Sequence, residues 1–244
     1  MKLTEYKIKE FAKIEAGGTP DTKNPSYWEG DISWITPNDL TSYEKMYISK
    51  GERNITTEGL RNSSAKLLPP KTVLLTTRAP VGHVALAGAE VSTNQGFKNL
   101  ICDLTKADPE FVYYLLKKNK TLLQAHATGS TFVELSGSRI SNIKLNLPDL
   151  NIQKKIALIL ISYDNLIDTN RQQIQLLEET ARLLYREWFV YFRFPGHEKV
   201  KIADGMPGGW ERQPIATIAD CVGGGTPSTS VPAYWENGDI TWVT

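Results

Sequence analysis

Three stretches of the chain carry side chains suited to reading hydrogen-bond patterns. They are Thr76, Thr77, Arg78 and His83; Thr93, Asn94, Gln95 and Lys98; and Thr128, Ser130, Thr131, Ser138 and Arg139. Arg offers two parallel donors to guanine O6 and N7, and Asn or Gln pairs with adenine N6 and N7. Arg78, His83, Asn94 and Gln95 are therefore assigned to base edges. Small hydroxyls among glycines suit phosphate oxygens, which take most hydrogen bonds in protein–DNA contacts. That chemistry assigns Thr19, Thr77, Lys98, Thr128, Ser130, Thr131 and Arg139 to a sugar–phosphate backbone. The same residue types also populate ordinary solvated loops, so the two readings stand level on sequence alone.

Covalent chemistry finds less support. Asn24-Pro25-Ser26-Tyr27 is close to the Asn/Asp-Pro-Pro-Tyr/Phe loop that holds a flipped adenine in amino-methyltransferases. Ser26 replaces the second proline, and no glycine-rich strand–turn–helix for S-adenosylmethionine precedes it, so a turn carrying a Tyr-Trp pair is the expected role. Gly17-Gly18-Thr19-Pro20 lacks the Gly-Lys-Ser/Thr of a nucleotide cradle and reads as a tight turn that needs positive φ. His83, His126 and His197 lie in separate segments with no metal-ligand spacing. Cys102 and Cys221 suit reduced apolar residues, and no serine sits in a nucleophile elbow. No catalytic residue, metal or cofactor is expected of this chain.

The elements that position these loops are mixed. Strands are expected at Asp31–Ile35, Thr72–Thr76, Val84–Ala87, Leu100–Leu104 and Ile143–Leu147, with a Pro/Gly hairpin loop between the second and third. Asp108-Pro109-Glu110 is a helix start, followed by a helix through Ala127. The expected class is α+β: a recognition-type domain over 1–149, a long helix over 150–192, a linker over 193–209 and a further segment from 210. The 244 residues contain no run of eighteen apolar positions. The N-terminus has no apolar signal core, so a cytoplasmic location is expected. Residues 1–150 carry 19 Lys and Arg against 16 Asp and Glu, too slight a surplus to bind DNA unless it gathers on one face.

The last segment repeats the first. AGGTPDTKNPSYWEGDISWIT at 16–36 returns as GGGTPSTSVPAYWENGDITWVT at 223–244, with one inserted residue, Asn237. An offset of about 207 residues is a duplicated domain, and only the opening of the second copy is present.

Between the copies, residues 150–192 contain neither Gly nor Pro. Apolar residues fall at Ile152, Ile156, Ile159, Tyr163 and Leu166, then Ile174, Leu177, Ala181, Leu184 and Trp188. Alternating steps of four and three make a coiled-coil seam. Leu166, Asn170 and Ile174 break the alternation as a stutter, with polar Asn170 on the seam. Some forty residues make a rod of roughly 60 Å that needs a second helix.

Together the motifs GGTP…YW…GDISWITPNDL, TTRAPVGHVAL, STNQGF, TGSTFVELSGSRISNIKLNLPDLNIQKKIA and the helix through EWF resemble the specificity subunits of Type I restriction-modification systems. The resemblance implies two target-recognition domains, each reading half of a bipartite DNA sequence, spaced by two antiparallel helices. It implies a subunit that catalyses nothing. Adenine methylation belongs to two modification subunits and cleavage to restriction subunits, which bring S-adenosylmethionine, ATP and Mg. This chain departs from the pattern in length, stopping early in its second domain; a homodimer of such half-subunits would supply the missing helix. Two other readings remain open: a stand-alone adenine-N6 methyltransferase, and a coiled-coil interaction protein unrelated to DNA.

Overall fold

The computed structural model describes residues 2–78, 80–128, 134–236 and 238–243. The chain divides into two compact units, Met1–Asn170 and Arg171–Thr244. The first unit runs β1 (Thr4–Lys7), α1 (Ile8–Phe11), β2 (Ala12–Ala16), β3 (Trp28–Ile35), α2 (Pro37–Thr41), β4 (Tyr47–Ile48), β5 (Arg53–Ile55), α3 (Thr57–Arg61) and β6 (Val73–Thr76). It continues with β7 (Val84–Ala87), β8 (Ser92–Thr93), β9 (Phe97–Cys102), α4 (Pro109–Lys118), α5 (Lys120–Ala125), α6 (Gly137–Asn142), β10 (Lys144–Leu147) and the start of α7 (Leu150–Tyr185).

Five strands form the main sheet in the order β2-β9-β6-β7-β4, antiparallel except for the β7/β4 pair. Successive strand side chains point to opposite faces. Val73 and Leu75 therefore enter one core with α4, α5 and α6, while Leu74 enters a second core on the other face with Ile35, Leu68 and Phe97. A smaller sheet, β5-β3-β8, carries a third cluster of Trp28, Trp34, Ile55 and Ala65. Burial on both faces explains why β6 reads as a continuous apolar run.

The helix start at residue 108 is as its residues dictate: the Asp108 carboxylate accepts the Phe111 N–H at 2.9 Å, with Pro109 in the first turn. The expected single helix through Ala127 is instead two. Asn119 turns its side-chain amide back onto Leu115 O at 2.8 Å and adopts φ −96°, ψ 21°, which ends α4 before α5 begins. β1, which no sequence signal marked, pairs with β10 from Thr4↔Leu147 to Lys7↔Lys144.

The long helix leaves the first unit through a buried anchor. Gln153, 1% exposed, donates to Lys106 O and Pro148 O, both at 2.9 Å, and accepts the Asp108 N–H at 3.0 Å. Beyond it the seam is uncovered: Ile159, Tyr163, Leu166, Ile174, Leu177 and Leu184 are 47–68% exposed. Asn170 is exposed with them.

In the second unit, α7 passes into a π-helical turn over Arg186–Val190. Phe192 ends it in the left-handed region at φ +56°. Within the expected linker stands a short hairpin, Ile202–Ala203 against Met206–Pro207. Asp204 and Gly205 take φ +50° and +74° as its two central residues, the Asp-Gly signature of a type I′ turn. The repeat is visible in local geometry. Trp28 meets Trp34 edge-on at 5.1 Å and 83°, and Trp235 meets Trp242 at 5.0 Å and 83°. Trp28 Nε1 donates to Asp21 O at 3.1 Å, and Trp235 Nε1 donates to Ser228 O at 3.1 Å.

Candidate nucleic-acid interface

The loops singled out by their chemistry meet at the end of β6, β8 and β9. The first is the Gly-Gly-Thr-Pro turn after β2. Gly18 N–H donates to Thr93 O at 2.8 Å, and Trp34 Nε1 donates to Gly18 O at 2.9 Å. Neither Gly17 nor Gly18 has the positive φ expected from sequence. Their need is for space: a Cβ on Gly17 would stand 1.9 Å from Asn94 O, and one on Gly18 would stand 2.3 Å from Ala65 N. Thr19, carried by this turn, donates its hydroxyl to the Gln95 side-chain oxygen on the next loop.

The hairpin loop between β6 and β7 is held by its own threonines. Thr76 Oγ1 donates to Pro80 O at 2.7 Å and accepts the His83 N–H at 2.9 Å. Thr77 was assigned to a phosphate, and the structure corrects this. It is fully buried, its N–H and hydroxyl both donate to Gly96 O, and its carbonyl accepts the Leu135 N–H. Thr77 instead ties three loops together.

Around that knot the charged side chains form a triangle. Arg78 Nη2 lies 2.7 Å from Glu134 Oε2, and Lys98 Nζ lies 4.0 Å from Glu134 Oε1. Arg78 is about half exposed, whereas the Lys98 side chain is only 15% exposed. Burial pulls the Lys98 ammonium below its ordinary pKa; Glu134 works against that shift and Arg78 with it. Lys98 is thus a tethered neighbour of Glu134 more than a free arm reaching for phosphate. Glu134 was not singled out from sequence, since a lone acid in TGSTFVELSG carries no sign of its partners.

Asn94 spends its side-chain oxygen on the Gly96 N–H at 2.8 Å, which leaves its amide nitrogen as the group available to an acceptor. Gln95 is exposed. The His83 Nδ1 sits 3.1 Å from Leu40 O, so it carries the proton and donates, because a carbonyl only accepts. Burial first, then the Lys120 charge, lower the His83 pKa. A neutral ring with Nδ1–H committed leaves Nε2 an acceptor, suited to a base amino group rather than to phosphate.

On the third loop, Thr128 is exposed and pairs backbone to backbone with Glu134, both bonds at 3.0 Å. Ser130 and Thr131 lie outside the described residues. Arg139 is exposed and donates to His126 O at 3.0 Å, beside a cleft of 380 Å³ that it lines with Ser138 and Asn142. Arg78, Gln95, Thr128 and Arg139 are thus the exposed polar side chains of loops joined by Thr77, Glu134 and the glycine turn.

The structure gives the other motifs structural work. Asn24 Oδ1 accepts from Ser26 N at 3.1 Å and from Ser26 Oγ at 2.9 Å, capping the turn Pro25–Tyr27. Trp28 beyond it is buried and Tyr27 half-buried. Among the described residues no three His, Cys, Asp or Glu are grouped to hold a metal. Among the described residues no helix is long and apolar enough to cross a membrane.

A family model, the Type I restriction modification DNA specificity domain, matches residues 2–179. The Type I restriction enzyme MjaIX specificity subunit of Methanocaldococcus jannaschii is 40% identical over 244 residues, spanning 97% of this chain and 56% of that protein. The EcoR124I/EcoR124II specificity subunit of Escherichia coli is 26% identical over 202 residues, spanning 78% and 48%. The crystal structure of a Type I restriction-modification S subunit from M. genitalium shares the fold. Its TM-score is 0.56 at 19% identity, over 78% of this chain and 46% of that one. The chain spans about half the length of the curated relatives it matches.

Proposed function

The chain belongs to the Type I restriction modification DNA specificity family, and on that premise we propose that it is a non-catalytic subunit that recognises a sequence in double-stranded DNA. Residues 1–149 are the recognition domain, reading one half of a bipartite target in the cytoplasm. Residues 150–192 are a spacer helix, 193–209 a linker, and 210–244 the start of a second recognition domain. The convergence of the glycine turn with Thr77 and Arg78, the loop at 94–98, Thr128 and the segment from Glu134 carries this reading, because groups suited to bases and phosphates come together there. Phosphate contacts supply most of the affinity and make it salt-dependent.

The methylating and cleaving activities, with S-adenosylmethionine, ATP and Mg, belong to two adenine-N6 modification subunits and to restriction subunits that dock on this one. The exposed α7 seam takes a second helix, and two copies of this chain pair antiparallel through it. The methyltransferase reading loses ground to Asn24, whose side-chain oxygen is engaged in capping its own turn.

Fluorescence anisotropy with pooled random duplex tests the interface. Arg78→Ala combined with Gln95→Ala and Arg139→Ala lowers affinity at least tenfold at an unchanged thermal midpoint. Unchanged affinity would remove these loops from the interface.

A further inference from the structure

A single arginine lies over the tryptophan pair of the small sheet. The Arg53 guanidinium carbon stands 3.7 Å from the centroid of the Trp28 ring and 6.0 Å from that of Trp34. Both tryptophans are buried, at 7% and 5% exposed, whereas Arg53 is exposed. An indole face holds a cation without spending a hydrogen-bond acceptor on it, so the N–H groups remain for a ligand. Among the described residues the Arg53 guanidinium makes no hydrogen bond or ion pair. Arg78 differs, because Glu134 already meets its charge at 2.7 Å.

Arg53 is continuous with the proposed interface. It pairs with Trp34 across β5 and β3, and Trp34 pairs with Ser92 across β3 and β8. The three stand in one row, which puts Arg53 about 10 Å from the strand that leads into Asn94 and Gln95. Trp34 Nε1 also donates to Gly18 O, in the turn that carries Thr19. Against the same turn lies the segment after α3: a Cβ on Gly18 would come 2.3 Å from both Ala65 N and Ser64 Oγ. Ala65 is packed with the two tryptophans, and Ser64 and Lys66 on either side of it are exposed.

We propose that Arg53, seated on Trp28, grips a phosphate of the duplex backbone, with Lys66 and the Ser64 hydroxyl extending the contact past the glycine turn. The proposal rests on the DNA recognition put forward above and adds a sequence-independent anchor to it. The internal repeat favours phosphate over a base edge. The edge-on tryptophan pair recurs as Trp235 and Trp242. A seat present in both copies suits a contact that is the same at every half-site. A guanidinium fork matches two phosphate oxygens, and one already held over a ring loses less freedom on binding.

Binding of the whole chain to random and to selected duplexes, at several salt concentrations, tests this. Arg53→Gln weakens both about fivefold and lowers the slope of log affinity against log salt by about one. Arg53→Lys, which keeps a cation over the ring, retains the slope and most of the affinity. Lys66→Gln, clear of the tryptophans, also lowers the slope, and an unchanged slope in it overturns the anchor where Arg53→Gln does not fold. A lower thermal midpoint for Arg53→Gln with the salt slope unchanged makes Arg53 a cover for the tryptophans and overturns the anchor. The recognition reading survives that result if the triple variant of Arg78, Gln95 and Arg139 still weakens binding. Relaxed choice at one base pair in Arg53→Gln overturns phosphate in favour of a base edge. A wild-type chain that binds no duplex at low salt overturns both the anchor and the recognition reading.

Discussion

Glu134 sets the electrostatics of the proposed recognition surface, because it neutralises Arg78 directly and Lys98 at longer range. An exposed ion pair of this kind adds little stability. Its effect is on binding: Arg78 must leave Glu134 or share it before it can read a guanine, so the carboxylate taxes contacts that offer only one phosphate oxygen. Glu134→Gln therefore raises affinity for random duplex and steepens the salt dependence by about one released counterion. Titrations at several salt concentrations check this, and an unchanged affinity and slope would show that Glu134 does not hold Arg78 back from the duplex. His83 makes a second prediction. Its folded pKa is lowered, so the unfolded chain binds the extra proton first. The stability linked to His83 is complete above about pH 6.5 and is lost as pH falls towards the folded value. Histidine NMR titration gives a midpoint below 6.5, and a midpoint at or above 6.5 contradicts the half-buried neutral ring. The residue types of this surface were legible in the sequence, since Arg, Asn and Gln announce their chemistry. Their partners were not, because Glu134 meets Arg78 across 56 positions of chain and Thr77 is buried by loops distant in sequence.

The elements followed local rules wherever local rules were strong. Asp108-Pro109 starts α4, the run at Val84–Ala87 is β7, and the seam of α7 extends over 36 residues without a breaker. Weaker local signals were settled by tertiary context. Asn119 divides α4 from α5 through one side-chain bond, and β1 exists because β10 offers it an edge. The Asp204-Gly205 turn did carry a readable signal that the surrounding breakers obscured. Gln153 holds the helix to its domain, and a fully buried amide with three bonds leaves partners unsatisfied when it is removed. Gln153→Ala costs about 1–3 kcal/mol, measured by urea unfolding of the first unit's signal. A loss below a few tenths would mean that α7 is anchored by apolar contacts alone.

At the scale of the whole molecule, α7 is an amphipathic helix anchored to the first unit through Gln153, with an exposed apolar seam beyond it. A helix of 36 residues is about 54 Å long, roughly one and a half turns of duplex at ~34 Å each, and under the proposed function its length is what sets the distance between half-sites. The identity of those half-sites depends on shape as well as on contacts, which is why no residue pattern spells them out. Selection from a library of random duplexes, followed by sequencing of the bound fraction, bears most directly on the account. It predicts enrichment of an interrupted motif with a constant gap, in which Arg78→Ala relaxes the choice of base at one position. Retention of the library without sequence enrichment, at any salt concentration, would contradict it.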